Sequence, residues 1–102
     1  MTKTDDAFEH MHHLIKKGSL LELRSWLERG GNPDLKNKYG WSLLMLAAMH
    51  GRTDIVEILI QFGADPSPEN HFGDTAKSLA TLKGYQRTAE VIGRHEHASK
   101  KD

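Results

Sequence analysis

The sequence predicts an all-α solenoid of about three repeated helix-turn-helix units. Three observations predict it. Landmark residues recur every 33 positions: Gly18, Gly51 and Gly84; Gly30 and Gly63; Pro33 and Pro66; Gly40 and Gly73. Apolar residues between these landmarks fall at helical spacing. Glycine and proline then punctuate each run where a helix must stop. The same offset aligns Asn37-Lys38-Tyr39-Gly40 with Asn70-His71-Phe72-Gly73, Leu46-Ala47 with Leu79-Ala80, and Glu57 with Glu90.

The middle unit shows the anatomy most clearly. A turn-rich stretch from Asn32 to Gly40 comes first. A short helix is expected over Ser42 to His50, with Leu43, Leu46 and Ala47 on one face. Gly51 ends it, because a tight turn between helices calls for a positive φ that glycine adopts freely. A second helix is expected from about Asp54 to Phe62. Ile55, Val56, Ile58, Leu59 and Ile60 leave it apolar around most of its circumference, so it must be covered on several sides. Gly63 caps it, and Pro66 and Pro68 prevent its continuation.

The segment Asn37 to Pro66, with Leu-Ala-Ala…Gly…Ile-Val-Glu-Ile-Leu-Ile-x-x-Gly-Ala-Asp inside it, resembles an ankyrin repeat. The resemblance implies a unit of a short β-hairpin-like finger, an inner helix, a turn and an outer helix. The first unit is a weaker match, through Met11-His12-His13-Leu14-Ile15, Gly18, Leu23, Trp26-Leu27 and Gly30-Gly31-Asn32-Pro33. The third is intermediate, through Gly73-Asp74-Thr75-Ala76, Leu79-Ala80, Gly84 and Val91-Ile92. One domain, 1–102, is expected, with repeat 1 at about 5–36, repeat 2 at about 37–69 and repeat 3 at about 70–95, and a frayed tail over 96–102. The family's Thr-Pro-Leu-His turn stands here as Ser42-Leu43-Leu44-Met45 and Thr75-Ala76-Lys77-Ser78, so its Thr–His hydrogen bond is absent from both units. In the first unit His12 holds the His position, but Glu9 replaces the Thr.

The outer units read as caps, which need polar residues on their uncovered faces. The aligned sets are Glu22, Ile55, Thr88; Ser25, Ile58, Val91; Met11, Leu44, Lys77; and Leu27, Ile60, Gly93. Polar or small residues replace apolar ones in the outer units, as expected of a finished three-repeat protein.

Composition narrows the function. The chain has 102 residues, 37% hydrophobic and 27% charged, within the range of ordinary folded domains. Fourteen Lys and Arg balance fourteen Asp and Glu. A zero balance argues against nucleic acid or an anionic membrane as the main partner, since both are bound largely by basic charge. No cysteine is present, which excludes disulfides, thiolate nucleophiles and Cys-based zinc sites. No leader precedes Asp5-Asp6 and no segment reaches the length of a membrane span, so the cytoplasm is the expected location.

The resemblance also implies where function lies: the finger tips and one face of the inner helices. Carried over by the offset, that surface comprises Lys38, Tyr39 and Trp41 on one finger and His71, Phe72 and Asp74 on the next. The inner-helix ends add Lys16 and Lys17, then Met49 and His50, then Leu82 and Lys83. Tyr39, Trp41 and Phe72 are three of the chain's seven aromatic residues, placed where the family's fingers are usually polar. Aromatic side chains dominate interface hot spots, and an exposed apolar patch marks a binding site. The competing reading folds Tyr39 and Phe72 down onto neighbouring hairpins.

His10, His12 and His13 cluster on the first helix, and His10 and His13 are spaced to share one face. A metal site needs further ligands than these. No phosphate-binding glycine loop or nucleophile signature is present. The sequence therefore points to a non-enzymatic module that binds a protein partner through its concave face and finger tips, without a cofactor. The alternatives are an inhibitor or immunity-type protein that neutralises a toxin or enzyme, a histidine-based metal binder, and self-association through the exposed aromatics.

Overall fold

The computed structural model describes the backbone of residues 3–99 and the side chains of residues 6–96. Six helices follow one another: α1 (Lys3–Lys17), α2 (Leu20–Glu28), α3 (Leu43–Met49), α4 (Thr53–Gln61), α5 (Ala76–Leu82) and α6 (Gln86–Ser99). They pair as α1/α2, α3/α4 and α5/α6. The odd-numbered helices pack side by side as an inner layer, and the even-numbered helices form an outer layer behind them. This is the predicted all-α repeat fold.

Each helix pair turns by the same device. At the end of α3, Gly51 N donates to Ala48 O and Arg52 N to Ala47 O. Gly51 sits at φ +67°, the left-handed conformation this closure needs. The same two bonds recur at Gly18 and Ser19 after α1, and at Gly84 and Tyr85 after α5. The starts of the inner helices α3 and α5 are capped by side chains. Ser42 Oγ accepts from Met45 N at 3.1 Å. Thr75 Oγ1 accepts from Ser78 N, while Ser78 Oγ accepts from Thr75 N. The serine at the family's His position thus completes a capping box in place of the missing Thr–His bond, a contribution of about 1 kcal/mol.

The core runs along the seam between the layers. Helix α3, covered on both sides, buries six consecutive residues, Leu43 to Ala48. Helix α5, covered on one side, buries only Ala76, Leu79 and Ala80 and leaves Lys77 and Thr81 exposed. The stem of Lys77 lies over Gly93, closing that end of the stack with an aliphatic chain and a charge.

Three features differ from the sequence expectations. Thr88, aligned with Ile55 and expected on a wet cap face, is 2% exposed. Its hydroxyl meets that of Thr53 at 2.7 Å between α4 and α6, so a hydroxyl pair replaces an apolar contact without an orphaned polar group. The first repeat has no finger: α1 already begins at Lys3, and Phe8, aligned with Trp41, is buried in its face. Helix α6 continues to Ser99, past the end expected near residue 95. The remainder of the expected tail, 100–102, lies outside the described residues.

Candidate partner-binding surface

Two asparagines build the fingers. Asn37 Oδ1 accepts from Tyr39 N and Trp41 N, and Asn37 N donates to Trp41 O. One repeat later, Asn70 Oδ1 accepts from Phe72 N and Asp74 N, and Asn70 N donates to Asp74 O. A five-residue loop closed this way fixes the side chain two residues past each asparagine at its tip. The fingers then join: His71 N donates to Tyr39 O at 2.9 Å. Gly40 permits this approach, because a Cβ there would stand 3.1 Å from the Asn70 Cα. Asn70 itself is buried, and its Nδ2 makes no hydrogen bond.

The predicted surface residues fall into two groups. Phe72 (69% exposed), Tyr39 (50%) and Leu82 (76%) are open to solvent. Lys38, His71 and Lys83 are exposed beside them, and Lys38 Nζ stands 5.3 Å above the Tyr39 ring. Tyr39 and Phe72 do not fold down onto neighbouring hairpins. Trp41 and Met49, in contrast, are half-buried and packed against the core. They support the surface more than they project from it. Asp74 and His50 are also half-buried.

His50 lies where the inner helices meet. Its ring is 5.9 Å from that of His12, which is in turn 6.3 Å from Phe8. Burial lowers its pKa from the ordinary imidazole value of 6.5, and the nearby charges of His12, Arg52, Lys16 and Lys83 add to that lowering. Its Nε2 is buried without a partner, the arrangement of a neutral ring.

His10 and His13 are exposed on α1 while His12 turns toward His50. Among the described residues no group of three or more His, Asp or Glu side chains is arranged to hold a metal ion. No helix among them is long and apolar enough to cross a membrane.

Arg52 and Tyr85, which sequence reasoning left out, shape the lower rim of this face. Each follows a turn glycine and reaches back over the glycine of the preceding repeat. The Arg52 guanidinium lies over Gly18, donating to Ile15 O and Lys16 O, and the Tyr85 ring lies on Gly51. Their equivalence at the 33-residue offset was the available signal. The direction in which they reach was not.

A double layer of inner and outer helices, joined by glycine turns and fronted by paired fingers, defines a class: a helical repeat solenoid with an open inner face. Comparison gives the family. The profile of ankyrin repeats (3 copies) matches residues 11–102, and the chain belongs to that family. It is 34% identical over 86 residues to mouse inactive serine/threonine-protein kinase TEX14, a match covering 83% of this chain and 6% of the relative. It is 37% identical over 75 residues to human ankyrin repeat family A protein 2, covering 74% and 24%. It is 35% identical over 88 residues to the yeast target of rapamycin complex 2 subunit AVO2, covering 80% and 20%. The chain thus spans less than a quarter of the length of each of these relatives. Ankyrin repeats are non-catalytic modules that in general mediate protein–protein interaction.

Proposed function

We propose that this chain works by binding another protein across its inner face, with Tyr39 and Phe72 as the anchoring side chains. The observation that carries this reading is the pair of exposed aromatic rings on fingers joined by the His71–Tyr39 backbone bond. A large ring held on a fixed loop loses little entropy on binding and buries a large area, as hot-spot residues do. Lys38, His71 and Asp74 supply a polar rim, and Met49, His50, Leu82 and Lys83 extend the contact along the inner helices. The face needs no chemistry of its own to act, only rigidity.

The test is affinity capture followed by binding measurements with the purified partner. Tyr39→Ala and Phe72→Ala are each expected to weaken binding by at least about tenfold, the cost of a modest hot spot. Both side chains are exposed, so the melting temperature should stay within about a degree or two. Unchanged affinity in both variants would show that the partner docks elsewhere. Light scattering across a concentration series separates a different partner from a second copy of the chain.

A further inference from the structure

The inner helices end side by side, and those ends are basic. Lys16 and Lys17 finish α1, His50 caps α3 and Lys83 caps α5. Lys17, His50 and Lys83 are equivalent at the 33-residue offset, so their alignment follows from the stacking itself. Positive side chains suit helix C-termini, where backbone carbonyls concentrate negative charge. Arg52 is used in this way, bound to two carbonyls of α1. The three lysines are not so engaged. All are exposed, and the single ion pair among the described residues is Arg24–Glu28, on α2.

Acidic side chains of the inner layer stand away from these ends, with exposed Glu9 in the first half of α1 and the others at the layer's far side. Asp6 lies near the start of α1, and Asp74 just precedes the Thr75 cap of α5. Asp54, at the start of α4, turns its Oδ1 to its own helix, where it accepts from Ile55 N. The inner face is therefore polarised along its helices. Exposed Leu82 directly precedes Lys83 and half-buried Met49 directly precedes His50, a small apolar step at the basic strip. The lowered pKa of His50 reports the same convergence of positive charge after its burial.

We propose that this strip docks an acidic polypeptide segment of the partner, with carboxylates against Lys16, Lys17 and Lys83 and an apolar side chain on Leu82 and Met49. This deepens the reading of the inner face as the binding surface and rests on it. Neighbouring helices pack about 8–10 Å apart, so three ends span about 20 Å, or about six residues of extended chain. A polypeptide fits better than a nucleic acid, because the chain carries no net charge and the strip includes an apolar step.

The experiment is an NMR titration with three probes: a decapeptide of glutamate, its glutamine counterpart and a decamer of uridylate. The glutamate peptide is expected to shift the amides of residues 16–17, 49–50 and 82–83. Its affinity should fall as salt rises. It should also raise the pH at which the His50 ring titrates. Lys16→Glu/Lys17→Glu/Lys83→Glu should weaken it by about tenfold or more with the melting temperature little changed. Equal binding of the glutamine peptide, shifts confined to the outer helices, or tighter binding of the uridylate would each overturn the proposal. With the purified partner the two readings part. If the lysine variant binds normally while Tyr39→Ala and Phe72→Ala do not, the acidic segment is excluded and the binding face remains. If the finger variants bind normally, that face is lost as well.

Discussion

The second and third repeats share two turn glycines, at 40 and 51 and at 73 and 84, yet only the second repeat's pair is pressed by a neighbour. A Cβ on Gly51 would stand 2.8 Å from the Tyr85 ring, and one on Gly40 would crowd Asn70 and His71. Their counterparts Gly84 and Gly73 have open space around them. All four have positive φ. One residue type thus answers two demands. Backbone conformation requires glycine in both repeats, and close stacking requires it only where another repeat follows. The core shows the same contrast, with six consecutive buried residues in α3 and three buried positions in α5.

The largest expected effects test whether two-sided covering matters. Leu46 and Leu79 are equivalent and similarly buried. Each change to alanine should cost about 2–5 kcal/mol by denaturant unfolding. Leu46→Ala should cost more, because α1 and α5 hold its cavity open from both sides. Equal costs would mean that the flanking helices contribute nothing to local rigidity.

Gly51→Ala and Gly84→Ala sharpen the same contrast. Each places a Cβ in the left-handed region, at about 1–2 kcal/mol. Gly51→Ala should cost distinctly more, since the Tyr85 ring must also move. In a Tyr85→Ala background the excess should vanish. Persistence of the excess would remove the stacking explanation.

A smaller effect belongs to the hydroxyl pair that joins the two repeats. Thr88→Val keeps the shape but leaves Thr53 Oγ1 without this partner, and should cost about 1 kcal/mol. The smallest is acid sensitivity at His50. Its folded pKa lies below 6.5, so as pH falls below that value the unfolded chain takes up the proton first. Stability contributed by the neutral ring is complete above 6.5 and declines through the interval beneath it. His50→Gln should flatten that part of the stability–pH curve.

Much of the fold was legible because the 33-residue offset fixes register without knowledge of contacts. It placed α3 and α4 to within a residue and located the turn glycines. What it missed depends on partners distant in sequence. The burial of Thr88 needs Thr53, and the seat of Tyr85 needs Gly51. The offset aligned Phe8 with Trp41 but gave no sign that helix α1 would replace the first finger. For the surface, the offset and the family's pattern brought Tyr39, Phe72, Leu82 and Lys83 to mind. The half-burial of Trp41 and Met49 was hidden, because side chains at equivalent positions lean on neighbours that differ from repeat to repeat.

The most direct test of the inner face as the working surface is site-specific photo-crosslinking in cells of the source organism. Benzoylphenylalanine would replace Phe72 on a finger in one variant and the exposed Glu57 on α4 in another. A discrete adduct from position 72, removed by Tyr39→Ala, with none from position 57, is the predicted result. The same adduct from position 57, with none from position 72, would place the partner on the outer helices and contradict it.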